Sequence, residues 1–437
     1  MRFTLSVCLL ALPLAVWAQT PLTEAEAVRL GLTRADFADL ERGAVQAAEA
    51  DVLAAGLFPN PTLSYSRDRV DGSPGTVEQS WMLEQAFDVS GRRGLHREAA
   101  SRRVAAVTAG NASRQLQMAA EIRRGFHEVL FRQEAIRATE TWTQRFARVE
   151  GMVAKLARAG EASGYDRRRL ARERQTAEAR LAAERAELDR SLARLMAFTG
   201  APEAALLQGE LLPSPSTPVE TVLVRLDQRP DLQALSRRAE AADLEGRAAR
   251  RGGIPAVTVG IGPRFVDNGG AQESGVALSL SVPLPVFDRQ QAGQQRAVAE
   301  ALQARAEYRL ARSRSEGELR GLYRQAEGLR ATAIDYRSRA VAASPELLRI
   351  AETAYQGGES SLLELLDAYR GTLEAETTAL ELEKRARDAR IEYDLLANQS
   401  LGRPEIDLAP SGGGSKNFLE PGKNTSPGAS TNEQDPD

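Results

Sequence analysis

The chain is nearly devoid of thiols and poor in imidazoles: of 437 residues one is cysteine, Cys8, and two are histidine, His96 and His127. That excludes a disulfide framework, and it excludes a zinc site of ordinary His/Cys type, which draws several ligands from those residues. There is no Ser/His nucleophile motif, no phosphate-cradling glycine loop and no histidine-based acid–base pair. No enzymatic activity, metal site or cofactor is expected. An excess of one charge is also missing. Lys and Arg total 57 against 60 Asp and Glu, a net charge of −3, mixed along the chain. Neither nucleic acid nor an anionic membrane surface is indicated by such a balance. Past the first residues there is no apolar run of the 18 or so residues that a membrane helix needs. Any membrane role must then rest on strands. Aromatics make up 5% of the chain, so the core must be built mostly from Ala and Leu, whose small profile lets helices approach closely.

What is present begins at the two ends. Met1-Arg2 is followed by an apolar run from Leu5 to Val16 and by Val16-Trp17-Ala18. This is the pattern of a secretory signal peptide, residues 1–18, with cleavage after Ala18. The run is too short to span a bilayer as a retained anchor. Cys8 lies inside it, after Val7 and too early for a lipid-carrying cysteine, so the processed chain carries no thiol. Residues 403–437 turn to Gly, Ser, Pro, Asn and Asp and are expected to be disordered, having too little apolar surface to offset ordering.

Between the ends the chain repeats itself once. Phe87-Asp88 is followed by Gly91, and Phe287-Asp288 by Gly293. A proline-bearing entry precedes each, Pro59-Asn60-Pro61 and Ile254-Pro255. Gly160-Glu161-Ala162-Ser163 has its echo in Gly358-Glu359-Ser360-Ser361. Landmarks in one order at near-constant spacing define two long units, residues 19–215 and 216–402.

Within each unit the periodicity changes twice. Residues 22–56 and 218–251 read as helical and break at Gly56 and Gly252-Gly253. Two strand-like runs follow. Leu63 and Tyr65 alternate with Thr62, Ser64 and Ser66, and Trp81 and Leu83 with Ser80 and Glu84. Val257, Val259 and Ile261 alternate with Thr258, Gly260 and Gly262; Val276, Leu278, Leu280 and Val282 alternate with Ala277, Ser279 and Ser281. Period two with one apolar face is the signature of a strand, and Asp71-Gly72-Ser73-Pro74-Gly75 and Asp267-Asn268-Gly269-Gly270 supply turn chemistry. Then comes a helical stretch from Arg92 to Arg158, about 100 Å long at 1.5 Å per residue, matched by Asp288 to Gln356 with one proline, Pro345. A second helix follows each Gly-Glu turn, carrying narrow seams: Leu181, Leu188, Leu192 and Leu195 in one, Leu362, Leu366, Tyr369, Leu373 and Leu380 in the other. The fold expected is mainly α with a small β part, built on long antiparallel coiled-coil helices.

Four strands barely long enough to cross a bilayer cannot close a barrel alone, and open sheet edges have no partner in lipid. Closure would demand several chains, with Val, Ile, Leu, Tyr and Trp facing lipid and Ser, Thr and Gly facing a wet lumen. The same residues also fit a small periplasmic sheet on a soluble coiled-coil stalk.

The strings LFPNPTLSYSRD (57–68), LEQAFDVSGRR (83–93), SVPLPVFDRQQAG (281–293) and AYQGGESSLLELLDAYR (354–370), in register with the duplicated frame, resemble the TolC-type outer-membrane efflux proteins. Within that family they resemble the CzcC-like members of heavy-metal efflux systems. The resemblance covers residues 22 to about 402. It implies a homotrimer with a 12-stranded transmembrane barrel, four strands per chain, in the outer membrane of a Gram-negative bacterium, above a helical periplasmic tunnel. It also implies docking to a periplasmic membrane-fusion adaptor and, through it, to an inner-membrane pump of the RND type. The function so implied is passive conduction of exported substrate, with metal cations favoured by the subgroup. A duct for drugs or secreted polypeptide remains open. So does a non-conducting periplasmic adaptor, although adaptors usually show one helical hairpin rather than two.

By the same resemblance Gly160, Glu161 and Ser163, with Gly358, Glu359 and Ser361, would form the tips that meet the adaptor. Independently, glycine ends a helix in the left-handed region and serine caps the next one, so these residues also suit plain turns. Asp166, Glu364, Asp367 and Tyr355 match positions of the family's periplasmic entrance. Copies of each acid around an axis would form a cation-attracting ring. Gly164-Tyr165 and Arg167-Arg168-Arg169 depart from the family's best-known members at the first turn.

Overall fold

The structure is a computed structural model that describes residues 21–72, 75–160, 163–201 and 207–399. The expected signal segment 1–18 and tail 403–437 lie outside these residues, as do Ser73, Pro74 and Glu161. The first half contains α1 (Glu24–Leu32), α2 (Ala35–Gly56), β1 (Thr62–Val70), β2 (Thr76–Phe87), α3 (Arg92–Arg158) and α4 (Gly164–Thr199). The second half contains α5 (Val219–Leu223), α6 (Pro230–Arg250), β3 (Val257–Asp267), β4 (Gln272–Ser281), α7 (Gln291–Tyr336), α8 (Ala342–Gln356) and α9 (Leu362–Leu396). The chain is mainly helical with one small antiparallel sheet, as the periodicity indicated.

Three interruptions were not visible in the pattern. The helical segment 22–56 breaks at Thr33-Arg34, where Arg34 is extended at φ −61°, ψ 136°. Segment 218–251 breaks before Pro230, which restricts the preceding Arg229 to extended backbone and itself opens α6. Pro345 has no N–H to donate to the carbonyl four residues back. The long helix accommodates it by widening into a π turn at Arg337–Val341, between α7 and α8.

The α9 seam packs as its spacing requires, whereas in α4 only Leu195 of the expected seam is fully buried. Leu362, Leu366, Tyr369, Leu373 and Leu380 of α9 are all buried. With Trp142, Phe146, Val149 and Val153 of α3, and Leu170 of α4, the first four form one core near the hairpin ends. Burial of a leucine such as Leu365 contributes about 1.5–3 kcal/mol. A second core joins Val28 of α1 to Ile122, Phe126 and Val129 of α3 and Leu195 of α4.

The sheet runs β1-β2-β3-β4, every neighbour antiparallel. Its register sorts side chains by face: Leu63, Leu83, Ile261 and Leu278 lie in one row, while Thr62, Glu84, Gly260 and Ser279 lie in an adjacent row on the opposite face. The apolar face is bare. Leu278 and Leu280 are 77% and 72% exposed, and Leu63, Tyr65, Trp81, Leu83 and Ile261 are exposed as well. Among the described residues, β1 and β4 each have one edge with no strand beside it in the sheet.

Candidate functional site

The helical hairpins turn at two equivalent tips. Gly160 (φ +84°) ends α3 and Gly358 (φ +73°) ends α8, both left-handed, as a residue just past a helix C-terminus commonly is. At the second tip the Gly358 N–H donates to Tyr355 O (3.2 Å) and the Glu359 N–H to Ala354 O (2.9 Å), the paired closure of a Schellman motif. The next helix then starts on a serine. Ser163 Oγ accepts from the Asp166 N–H at 3.1 Å while the Asp166 carboxylate accepts from the Ser163 N–H at 3.1 Å. Ser361 and Glu364 repeat the arrangement at 3.3 and 2.7 Å. These are capping boxes, each satisfying two otherwise orphan donors.

The entrance candidates therefore differ in their engagement. Asp166 and Glu364 occupy the same third position of their helices and spend one carboxylate oxygen on helix initiation. Asp367, one turn beyond Glu364, is exposed. Tyr355 is half-buried against the tip core. Burial, and then the negative charge of Asp166, push its hydroxyl pKa up, so the fold brings the tyrosine of the second hairpin near the acid of the first. Gly160, Ser163, Gly358, Glu359 and Ser361 are exposed at the tips. Just behind them the hairpins are fastened together, as Trp142 Nε1 donates to Tyr369 O at 2.9 Å and Arg370 of α9 pairs with Glu173 of α4, while the Tyr369 hydroxyl bonds Glu352 within the second hairpin.

A buried ionic network elsewhere was missed by sequence reasoning. Arg123 of α3 bonds Glu24 of α1 (2.5 Å) and Asp394 of α9 (3.0 Å), and Asp394 also accepts from Arg390 (2.7 Å). His127 Nε2 sits 2.5 Å from Glu24 while its Nδ1 is buried without a partner, which identifies Nε2 as the protonated nitrogen. Burial pushes the His127 pKa down. Burial alone would raise the Glu24 carboxyl, but the hydrogen bond from His127 and the charge of Arg123 outweigh it and hold the pKa at about 2. The i,i+4 pairs Arg123/His127 and Arg390/Asp394 were the available signal; on a long charged helix such spacing ordinarily marks a solvated face.

Among the described residues no group of three or more His, Cys, Asp or Glu is placed to hold a metal ion, and no helix is long and apolar enough to cross a membrane. His96 Nδ1 lies 2.7 Å from Glu245, so each histidine is held by one carboxylate.

Comparison with known proteins agrees with this architecture. Residues 224–398 match the family described as outer membrane efflux protein. The chain is 25% identical over 338 residues to the cobalt-zinc-cadmium resistance protein CzcC of Cupriavidus metallidurans, covering 76% of this chain and 79% of that one. It is 28% identical over 276 residues to the nickel-cobalt-cadmium resistance protein NccC of Alcaligenes xylosoxydans xylosoxydans, covering 60% of each. Its fold is that of the outer-membrane channel OprN, with a TM-score of 0.72 at 19% identity over 86% of this chain and 90% of that one. These relatives are channel and resistance proteins rather than enzymes.

Proposed function

We propose that this chain is an outer-membrane efflux protein of the TolC type with CzcC-like kin, and that three copies close a 12-stranded barrel in the outer membrane. The observation that carries this is the sheet itself: four strands of 9 to 12 residues, one bare apolar face, one polar face and two open edges. Strands of that length cross a hydrocarbon core when tilted, and the backbone groups of an open edge have no partner in lipid until another copy supplies one. The long hairpins continue the wall into the periplasm.

In this arrangement residues 1–18 are removed on export, residues 19–215 and 216–402 are the two repeats, and 403–437 is a tail. The tips Gly160, Glu161, Ser163, Gly358, Glu359 and Ser361 meet a periplasmic membrane-fusion adaptor, and through it an inner-membrane RND pump. Asp166, Tyr355, Glu364 and Asp367 line the entrance, where three copies of exposed carboxylates favour cations. The names of CzcC and NccC support heavy-metal cations as cargo, which the duct conducts passively. Planar-bilayer recording of the purified protein is the test. Cation-selective pores are expected, with selectivity lowered by joint Glu364→Gln and Asp367→Asn substitution. Absence of pores would refute the duct, and pores of unchanged selectivity would reduce the two acids to helix-surface charges.

A further inference from the structure

We propose that Glu84 is a cation-selecting residue inside the barrel, a second selectivity element distinct from the periplasmic entrance. The inference rests on the shared-barrel arrangement above, in which the polar face of the sheet lines the lumen. On that face Glu84 of β2 stands in the row Thr62, Glu84, Gly260, Ser279. Its carboxylate does not hang free. It crosses the neighbouring strand β3 and accepts a hydrogen bond from Ser279 Oγ of β4 at 3.1 Å. Only a glycine permits that path: a Cβ on Gly260 would lie 2.3 Å from Ser279 Oγ and 2.9 Å from Glu84 Cγ. The side chain is thereby laid flat over β3, and with Ser279 reaching back it bridges the roughly two strand spacings, about 10 Å, between β2 and β4, so that its charge is fixed at the wall.

Glu84 stands three rows away from the other acids of this face, and among the described residues it has no ion-pair partner. Toward the hairpin-loop end of the strands, Asp68, Glu78, Val266 and Glu273 form one row, and Glu78 pairs with Arg264 at 2.5 Å. The row of Glu84 offers only Thr, Gly and Ser. Its nearest neighbours on the same face are Ser64, Met82, Gly262 and Ala277 on one side and Ala86, Thr258 and Ser281 on the other, none of them charged. Arg264 lies four residues along β3 from Gly260 and is engaged with Glu78. Three copies around the barrel axis place three uncompensated carboxylates at one level of a low-dielectric-walled pore, the arrangement by which charged rings select ions by sign. A merely structural role, fastening β2 to β4, predicts no effect of charge removal once the hydrogen bond is kept.

The experiment separates the two. Glu84→Gln retains an oxygen acceptor for Ser279 while removing the charge. Purified trimers in planar bilayers under a KCl gradient give the potassium-to-chloride permeability ratio. Glu84→Gln pores are expected to conduct with that ratio lowered by about twofold or more at 0.1 M salt. The reduction is smaller at 1 M, where the screening length shrinks from about 10 Å to about 3 Å. Glu84→Asp keeps the wild-type preference, and the loss in Glu84→Gln adds to that of the entrance pair. If Glu84→Gln lowers trimer yield, the paired Glu84→Ala, Ser279→Ala variant, which leaves neither partner unsatisfied, carries the same expectation. Conducting pores of unchanged ratio at low salt would overturn the assignment of Glu84. Wild-type protein that forms no pore would overturn the barrel on which it rests.

Discussion

Replacing Asp394 by asparagine removes one charge from the centre of the network that ties α1, α3 and α9 together. Asp394 is 1% exposed and its partner Arg123 is 5% exposed, so neither can turn to water. In the wild-type chain Asp394 answers two guanidinium groups, Arg123 at 3.0 Å and Arg390 at 2.7 Å. After substitution Arg123 keeps only Glu24, and the asparagine amide presents N–H donors to a site built of donors. Removing one partner of a buried pair costs about 3–5 kcal/mol because the remaining charge stays buried. At about 1.4 kcal/mol per tenfold change, the unfolding equilibrium should shift by a hundredfold or more. Urea unfolding in detergent, followed by tryptophan fluorescence, reads the shift. Adding Arg123→Met to Asp394→Asn should cost less than the sum of the single changes, since both act on one interaction. A loss below about 1 kcal/mol, or full additivity, would refute the view that these helices are joined by a mutually dependent charge set.

The same network sets an acid limit. Glu24 is depressed to about 2, so its contribution, on the order of 3 kcal/mol, is fully present above the ordinary carboxyl range and is lost as pH falls from about 4.5 toward 2. His127, held neutral by burial, adds to the loss below pH 6.5, where the unfolded chain takes up the proton first; unfolding midpoints that hold steady from pH 7 to pH 3 would contradict both. Leu278→Arg, on the bare apolar face, should cost about 2–4 kcal/mol per copy if that residue sits near mid-bilayer, seen as reduced heat-resistant trimer in the envelope; unchanged yield would argue against lipid contact. Ser361→Ala removes a capping-box acceptor and should loosen the start of α9 by about 1 kcal/mol, measured as faster amide exchange over residues 362–366, with the sheet unaffected. Gly358→Trp, at an exposed left-handed position, should leave the trimer intact and abolish adaptor crosslinking at the tip, and persistence of crosslinking would remove that tip from the docking surface.

Much of this was legible in the residues because it depends on period and on special backbone conformations. The α9 seam from Leu362 to Leu380 buries the side chains its spacing selects, the strand faces alternate as written, and Gly160 and Gly358 stand at left-handed turns. The interruptions were hidden because each is local. One extended residue at Arg34 or Arg229 barely disturbs a helical pattern, and a π turn redistributes the effect of Pro345 over five residues without changing composition. The network of Glu24, Arg123, His127 and Asp394 was invisible for another reason. Its members are about 100 and 270 positions apart along the chain, and only packing of α1 and α9 on α3 removes them from water. At the tips, Asp166 and Glu364, two of the acids expected at an entrance, are the capping-box partners of Ser163 and Ser361, a role carried by the Ser-x-x-Asp and Ser-x-x-Glu spacings.

The central claim is that these four strands are a fraction of a wall completed by other copies. Its most direct test is the molar mass of the processed protein by light scattering, with detergent and without. The account predicts a detergent-requiring particle of three chains extracted from envelope membranes. A monodisperse single chain, stable in plain buffer and absent from the membrane fraction, would contradict it.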